Sequence, residues 1–277
     1  MVKITDISAT HIKSGLFSGI GAIQITMAGC NLQCDGFGQS NPSDPKTYIL
    51  PYQTVDVSGI KSIRDFPDVQ KGCVSSHSWA SRFKHLVKEW DATHIATDVM
   101  ALLPNRSWFN QVSGNFFDLV FTGGEPMLQQ KGMIDIMTEL DFMLYDPVLP
   151  MRVQIETNGT KKLDPEFKKF LGELRAQGVG VYFNIAPKLF HSSGETPEYS
   201  WFPDVIREYC KTGSSASVTI VAHDSTMFWK ELEDNVLQLQ EMGIVVDIFV
   251  TPHHSATNTA DIRTKAFNLG YHFLEKQ

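Results

Sequence analysis

An α/β fold built on a mainly parallel sheet is predicted by two observations. Short apolar runs alternate with helical periods along most of the chain, and polar or glycine-rich clusters stand directly after several of the runs. Ala22–Met27 (AIQITM), Phe117–Phe121 (FDLVF), Met151–Ile155 (MRVQI), Val179–Ile185 (VGVYFNI), Ser217–Val221 (SVTIV) and Val245–Val250 (VVDIFV) are rich in Val, Ile and Phe. Bounded by Gly, Pro or polar residues, they read as buried strands. Alternating strands and helices imply right-handed crossovers and a parallel sheet, in which chemistry gathers at the carboxyl ends of the strands.

The helices follow from period and caps. Leu163, Phe167, Phe170, Leu171 and Leu174 share a face behind an Asp164-Pro165 start signal. Phe228, Leu232, Val236, Leu239 and Met242 do the same and stop at Gly243. One stretch breaks the alternation. Asp35–Gly72 has no helical period, carries Pro42, Pro45, Pro51 and Pro67, and reads as an irregular insertion, at about 35–72, folded over one end of the sheet. Motifs on both sides of it belong to one site, so the chain is expected to be a single domain over 1–277. Trp79, Trp90 and Trp108 are expected to pack around the insertion rather than to form a base-stacking platform.

With 42% hydrophobic residues among 277, the chain can bury a core. Its 31 acidic against 24 basic residues argue against a general nucleic-acid surface. No apolar run approaches the ~20 residues of a membrane span, and the N-terminal stretch lacks the layout of a signal peptide. Four cysteines in a chain of this length do not make a disulfide scaffold, so reduced thiols and a cytoplasmic location are expected.

Four clusters carry possible chemistry. Cys30 and Cys34 follow the first predicted strand on one loop; alone, they read equally as iron or metal ligands and as ordinary buried thiols. Thr122-Gly123-Gly124-Glu125-Pro126 follows FDLVF, and its glycines either admit a ligand close to the backbone or simply turn the chain. Glu156-Thr157-Asn158-Gly159-Thr160 and Ala186-Pro187-Lys188 end two later strands. Lys188 there either pairs with a carboxylate or is only solvated. His253-His254 follows the last strand and reads as a solvated or hydrogen-bonded pair rather than as metal ligands.

In this order, the clusters resemble the radical S-adenosylmethionine enzymes, and more narrowly the 7-carboxy-7-deazaguanine synthase family. The matching stretches are Met27–Cys34 (MAGCNLQC), Thr122–Gln129 (TGGEPMLQ), Glu156–Thr160 (ETNGT) and Ala186-Pro187-Lys188, where the family usually has Ser-Pro-Lys. The resemblance runs from about Thr10 to Val250. The superfamily's third cysteine falls at Phe37. Cys73-Val74-Ser75-Ser76-His77-Ser78-Trp79 is similar to the family's stretch from the third cysteine onward, which places the insertion between the second and third ligands. Cys210, in a helical-looking segment, reads as an ordinary thiol.

The resemblance implies a partial (β/α) barrel of the radical S-adenosylmethionine type. It implies a 4Fe–4S cluster held by Cys30, Cys34 and Cys73, and S-adenosylmethionine held by Gly72, Val74, Gly123, Gly124, Glu125, Glu156, Asn158, Ala186 and Lys188. Mg²⁺ is implied at Ser75. The implied reaction converts 6-carboxy-5,6,7,8-tetrahydropterin to 7-carboxy-7-deazaguanine, with an external electron donor, in a homodimer without direct nucleic-acid or membrane binding. No side chain is assigned a catalytic role of its own. Ser14, Thr26 and Thr122 are the substrate-side positions. The family's Gly-Glu-Gly is here Lys13-Ser14-Gly15 and its arginine is Thr26, which cannot make a charged bidentate contact. Those losses keep open a radical enzyme with another substrate, such as a glycyl-radical activase. Phe37 keeps open a cluster-free binding protein.

Overall fold

Period-two alternation decides which face of each strand meets the helices. The computed structural model describes residues 1–142, 150–254 and 256–275. Its strands are β1 (Val2–His11), β2 (Gly21–Met27), β3 (Lys88–Trp90), β4 (Phe109–Asn110), β5 (Asn115–Phe116), β6 (Asp118–Gly123), β7 (Arg152–Thr157), β8 (Gly180–Ile185), β9 (Ser215–Ala222), β10 (Asp247–Pro252) and β11 (His272–Phe273). The helices are α1 (Ala92–Leu102), α2 (Gln130–Phe142), α3 (Pro165–Ala176), α4 (Phe190–Ser193), α5 (Pro197–Ser200), α6 (Pro203–Thr212), α7 (Thr226–Glu241) and α8 (Thr259–Asn268).

Among the described residues, one nine-stranded sheet runs in the order β11-β10-β9-β8-β7-β6-β2-β1-β3. Strands β2 and β6 to β11 pair in parallel. β1 is antiparallel to both β2 and β3, which adds an edge that the sequence did not announce. The fold is therefore a mixed α/β sheet, largely parallel, and open, with β11 and β3 at its two edges. All six predicted strands are present, and both predicted helices start where their caps lie: Asp164 precedes α3, and the Ser225 side chain accepts from Phe228 N–H at the start of α7.

From β2 through β11, each parallel strand lies next to its predecessor in the parallel set. Right-handed crossovers that always step in one direction put every helix on the same face. Ile23, Ile25, Leu119, Phe121, Val153, Ile155, Val181, Phe183, Val218 and Ile220 accordingly pack in one core with Ile95, Met133, Phe167, Ile206, Phe228 and Ile262 from the helices. The other face has no such layer: Ala22 and Val120 pack there with Ile12, Phe17 and Ile20 at the amino ends of β2 and β6, and toward the carboxyl ends the face is polar. Register runs Thr26 beside Thr122, then Glu156 beside Asn184 beside Ser217, in one row across the sheet.

The insertion has no α-helix or strand. It makes single turns at Pro45–Thr47, Pro51–Gln53 and Ile63–Asp65 and closes around Tyr52 and Ile60, which meet Phe83, Leu86 and Trp79. Trp79 does pack on the insertion. Trp90 and Trp108 do not: both join the main core, because α1 and β3 draw them to the sheet.

At the amino end of β6, Asp118 is fully buried and accepts twice from Arg152 Nε, at 2.9 and 3.0 Å. Burial raises its carboxyl above the usual range and the guanidinium opposes this. Removing the partner strands a buried charge, at a cost of about 3–5 kcal/mol. Arg152→Met should therefore lower unfolding stability by about 3 kcal/mol at neutral pH. Without its partner the carboxyl rises further and its charged form is what destabilises, so the deficit should shrink as pH falls and Asp118 protonates. Denaturant unfolding across the acidic range checks both the size and the sign.

Candidate functional site

The ends of six strands, β2, β6, β7, β8, β9 and β10, meet at one pocket. Gly123, at the end of β6, has φ +121°, and a Cβ there would collide with the backbone of Met27. A Cβ on Gly124 would collide with the Gly29 carbonyl oxygen. The two glycines are thus required by the chain's own packing, because Gly124 N–H donates to Met27 O (3.1 Å) and Glu125 N–H to Gly29 O (2.8 Å). Gly29 N–H in turn donates to Ser78 O at 2.7 Å, which ties the segment after Cys73 to the end of β2.

Cys73 comes to the same place across the insertion. Gly72 N–H donates to Phe37 O at 2.7 Å, so the two ends of the excursion are joined and Cys73 stands next to the position that Phe37 holds in sequence. Cys30, Cys34 and Cys73 line one cavity of about 270 Å³. Cys30 Sγ accepts from Leu32 N–H at 3.5 Å, with Asn158 Nδ2 at 4.0 Å, and Cys73 Sγ accepts from Trp79 Nε1 at 3.5 Å. Burial pushes the Cys30 thiol up to about 11 and raises those of Cys34 and Cys73, while the charge of Lys188 opposes the rise in all three. Among the described residues no trio of His, Cys, Asp or Glu converges on a single metal ion. Ligands of a multi-iron cluster need not converge, since each thiolate binds its own iron.

Val74, Ser75, Thr122, Gly123, Gly124, Glu156, Asn158, Ala186 and Lys188 line the cavity with the thiols. Gly72, Glu125, Ser14 and Thr26 stand outside that lining. Gly72 lies behind Cys73 against Leu50 and Tyr52, and its φ of +81° suits glycine there. Glu125 is fully buried, and its carboxylate accepts from Thr157 Oγ1 (2.7 Å), Asn158 N–H (2.6 Å) and Met127 N–H (3.0 Å). Both oxygens are used within the protein. Burial still raises its carboxyl above the ordinary value.

Below the cavity, the polar face of the sheet is a connected hydrogen-bond chain. Thr122 Oγ1 donates to Glu156 Oε2 at 2.6 Å, and Ser14 Oγ reaches Oε1 at 3.3 Å, as does Gln154 Nε2. Asn184 Nδ2 donates to Ser14 Oγ at 2.6 Å, and its Oδ1 accepts from Thr219 Oγ1 at 2.7 Å. Ser14 and Thr122 therefore share one network with Glu156. Thr26 is buried beside it, accepting from Gln24 Nε2 at 3.3 Å.

Sequence reading missed part of the wall. Phe37, Trp79, Val221, His253 and His254 line the cavity too. Phe37 stacks on His253 with ring centroids 5.8 Å apart, and Lys188 Nζ lies 5.9 Å from the Phe37 ring centre. The His253 and His254 rings stand 4.0 Å apart at the end of β10, facing the cavity rather than open solvent. Strand-end position was their signal. Cys210 lies on α6 against the main core, away from the cavity.

No protein-family profile matches the chain, and no curated protein matches it in sequence. A likeness to a solved structure spans everything described above. The chain has the fold of QueE. The crystal structure of QueE from Escherichia coli aligns over 100% of this chain and 94% of that chain, with a TM-score of 0.50 and 14% sequence identity.

Gly124→Ala should destabilise the protein by about 2 kcal/mol or more, because a backbone carbonyl rather than a flexible side chain occupies the space its Cβ needs. Faster amide exchange at Gly29 and Glu125 would locate the damage at the stitch between β2 and β6. Unchanged stability and exchange would show that this approach is not a constraint.

Proposed function

We propose that the chain is a radical S-adenosylmethionine enzyme that converts 6-carboxy-5,6,7,8-tetrahydropterin to 7-carboxy-7-deazaguanine, on a sheet curved as a partial (β/α) barrel. The observation that carries this reading is the arrival of Cys73 beside Cys30 and Cys34 on one cavity wall, although 38 residues separate the second and third thiols in sequence. The fold likeness to QueE, a 7-carboxy-7-deazaguanine synthase, supports the same class. The donor set suits an iron–sulfur cluster: three thiols, each held on a loop, with N–H donors to two of the sulfurs and Lys188 as a nearby cation.

When bound, the cluster and S-adenosylmethionine supply abstraction of a hydrogen atom from the substrate. The protein's share is binding and exclusion. Cys30, Cys34 and Cys73 hold iron as thiolates, so their protons must leave on loading. Gly123, Gly124, Ala186 and Val74 offer backbone and a small apolar surface to S-adenosylmethionine, Lys188 offers a charge for its carboxylate, and Asn158 is a polar contact. Glu125 contributes by holding Asn158 and the glycines in place. Ser75, beside Cys73, offers a hard oxygen to Mg²⁺. Glu156 is a further polar contact to S-adenosylmethionine, and Thr122 faces the substrate end, with Ser14 and Thr26 shaping the floor below. An external donor supplies the electron, and a cytoplasmic homodimer is the expected form; no helix among the described residues is long and apolar enough to cross a membrane.

A second reading keeps the cluster and changes the substrate. It is favoured by the floor, where Ser14 and Thr26 replace a glutamate and an arginine and are occupied by hydrogen bonds inside the protein. Turnover of the carboxy-pterin by reconstituted enzyme decides between the two.

Cys73→Ala should leave a labile cluster with well under the ~4 irons of a loaded site and abolish 5′-deoxyadenosine release. Cys210→Ala should keep both. Iron analysis after identical anaerobic reconstitution is the measurement, and wild-type iron in Cys73→Ala would remove that residue from the ligand set.

Ser75→Ala should weaken the dependence of turnover on Mg²⁺. An unchanged magnesium response would place the ion elsewhere.

A further inference from the structure

Cys34 has φ +56°, and among the described residues only Asn105 and Arg106 share that left-handed region without being glycine. A side chain makes this conformation costly, and it persists only where the surroundings impose it. One carboxylate oxygen meets the loop at this point. Gln33 N–H and Cys34 N–H both donate to Glu195 Oε1, at 2.7 and 2.6 Å. Two successive amides converging on an anion form a concave backbone cradle, filled in this case by a side chain from 161 residues along the chain.

Glu195 is itself delivered rigidly. It follows α4 and Gly194, whose φ of +79° turns the chain, and its N–H donates to Ser193 Oγ at 3.2 Å. Gly36 N–H donates to Ser193 O at 2.8 Å, and a Cβ on Gly36 would strike the Ser193–Gly194 backbone, so loop and turn lie in direct contact. The start of α4 is anchored in turn by Glu231 of α7, which accepts from Phe190 N–H at 2.7 Å and from His191 N–H at 2.9 Å. Cys30 and Cys73 each receive an N–H donor at sulfur, whereas Cys34 is held through its backbone.

We propose that Glu195 is the positioning residue for the second cluster thiolate: its carboxylate fixes the left-handed backbone that aims Cys34 Sγ into the cavity, and leaves a negative charge behind that corner of the cluster. The inference rests on the cluster reading above. It assigns to Glu195 a role that the strand-end motifs do not contain.

Glu195→Ala removes the acceptor, and Glu195→Gln keeps an oxygen of the same reach while removing the charge. In the metal-free protein, Glu195→Ala should speed amide exchange at Gln33 and Cys34 by ~10-fold or more, with exchange across β7 and β8 unchanged. In the reconstituted protein, it should speed loss of iron to a chelator by ~10-fold. Glu195→Gln should keep most of the retention but raise the cluster's reduction potential, a shift that a purely structural contact would not produce. Wild-type exchange at residues 33 and 34 in Glu195→Ala overturns the proposal, as does wild-type iron retention in the same variant. Wild-type protein that takes up no iron overturns the cluster reading, and this proposal with it. Loaded wild-type protein beside an unaffected variant overturns the clamp alone.

Discussion

The carboxylate of Glu125 is the interaction on which the site depends. It is buried without access to water, and three donors from two segments converge on it: Met127 N–H from its own turn, and Thr157 Oγ1 and Asn158 N–H from the end of β7. Charge-assisted hydrogen bonds of this kind are roughly twice as strong as neutral ones, and the low dielectric raises the cost of breaking any of them. The same residue's N–H reaches Gly29, so one side chain and its backbone bind the carboxyl ends of β2, β6 and β7 together. Everything the cavity presents on that side inherits its position from this clasp.

Strand order explains why the cavity has a polar floor. A sheet that always steps in one direction spends all its helices on one face, and the other face must satisfy itself. The row from Thr122 through Glu156 and Asn184 to Ser217 does so by bonding side chain to side chain along the sheet, with Ser14 bridging Glu156 and Asn184 from the loop after β1. Buried polar residues are tolerable when connected in this way, and a satisfied network is also rigid. The floor can therefore discriminate among ligands by shape and hydrogen bonding, while the basic groups Lys188, His253 and His254 stand on the wall above it.

Much of this was legible in the sequence, for a local reason. Strand-end motifs such as Thr122–Pro126 and Glu156–Thr160 are short, and the period-two runs before them fix where they emerge. The alternation in Val153-Gln154-Ile155-Glu156 and in Ser217-Val218-Thr219-Ile220 also carried the polar floor, although read as buried strand it looked only apolar. The resemblance makes Glu125 a cofactor contact, and its burial and three internal donors were not visible in its motif. What could not be read were contacts that only tertiary packing creates. Nothing local to Glu195 marks its distant pairing with Gln33 and Cys34, and nothing local to His253 marks its stacking on Phe37. β3 escaped because an edge strand of three residues needs no continuous apolar run, and β1 because polar residues interrupt Lys3-Ile4-Thr5-Asp6-Ile7-Ser8 throughout.

The bond between Phe37 and Gly72 has a further consequence. An excursion whose ends are pinned together can change length at little cost, since loop-closure entropy grows only by about 0.6 kcal/mol for each doubling. The third thiol is held by contacts on both sides of its segment. Tyr52, Ile60, Phe83 and Leu86 pack on the insertion side, while Cys73 packs with Leu32, Cys34 and Phe37 and Ser78 O accepts from Gly29 N–H. The second set of contacts lies outside the excursion. The spacing of the three thiols is thus insulated from the length of the chain between them.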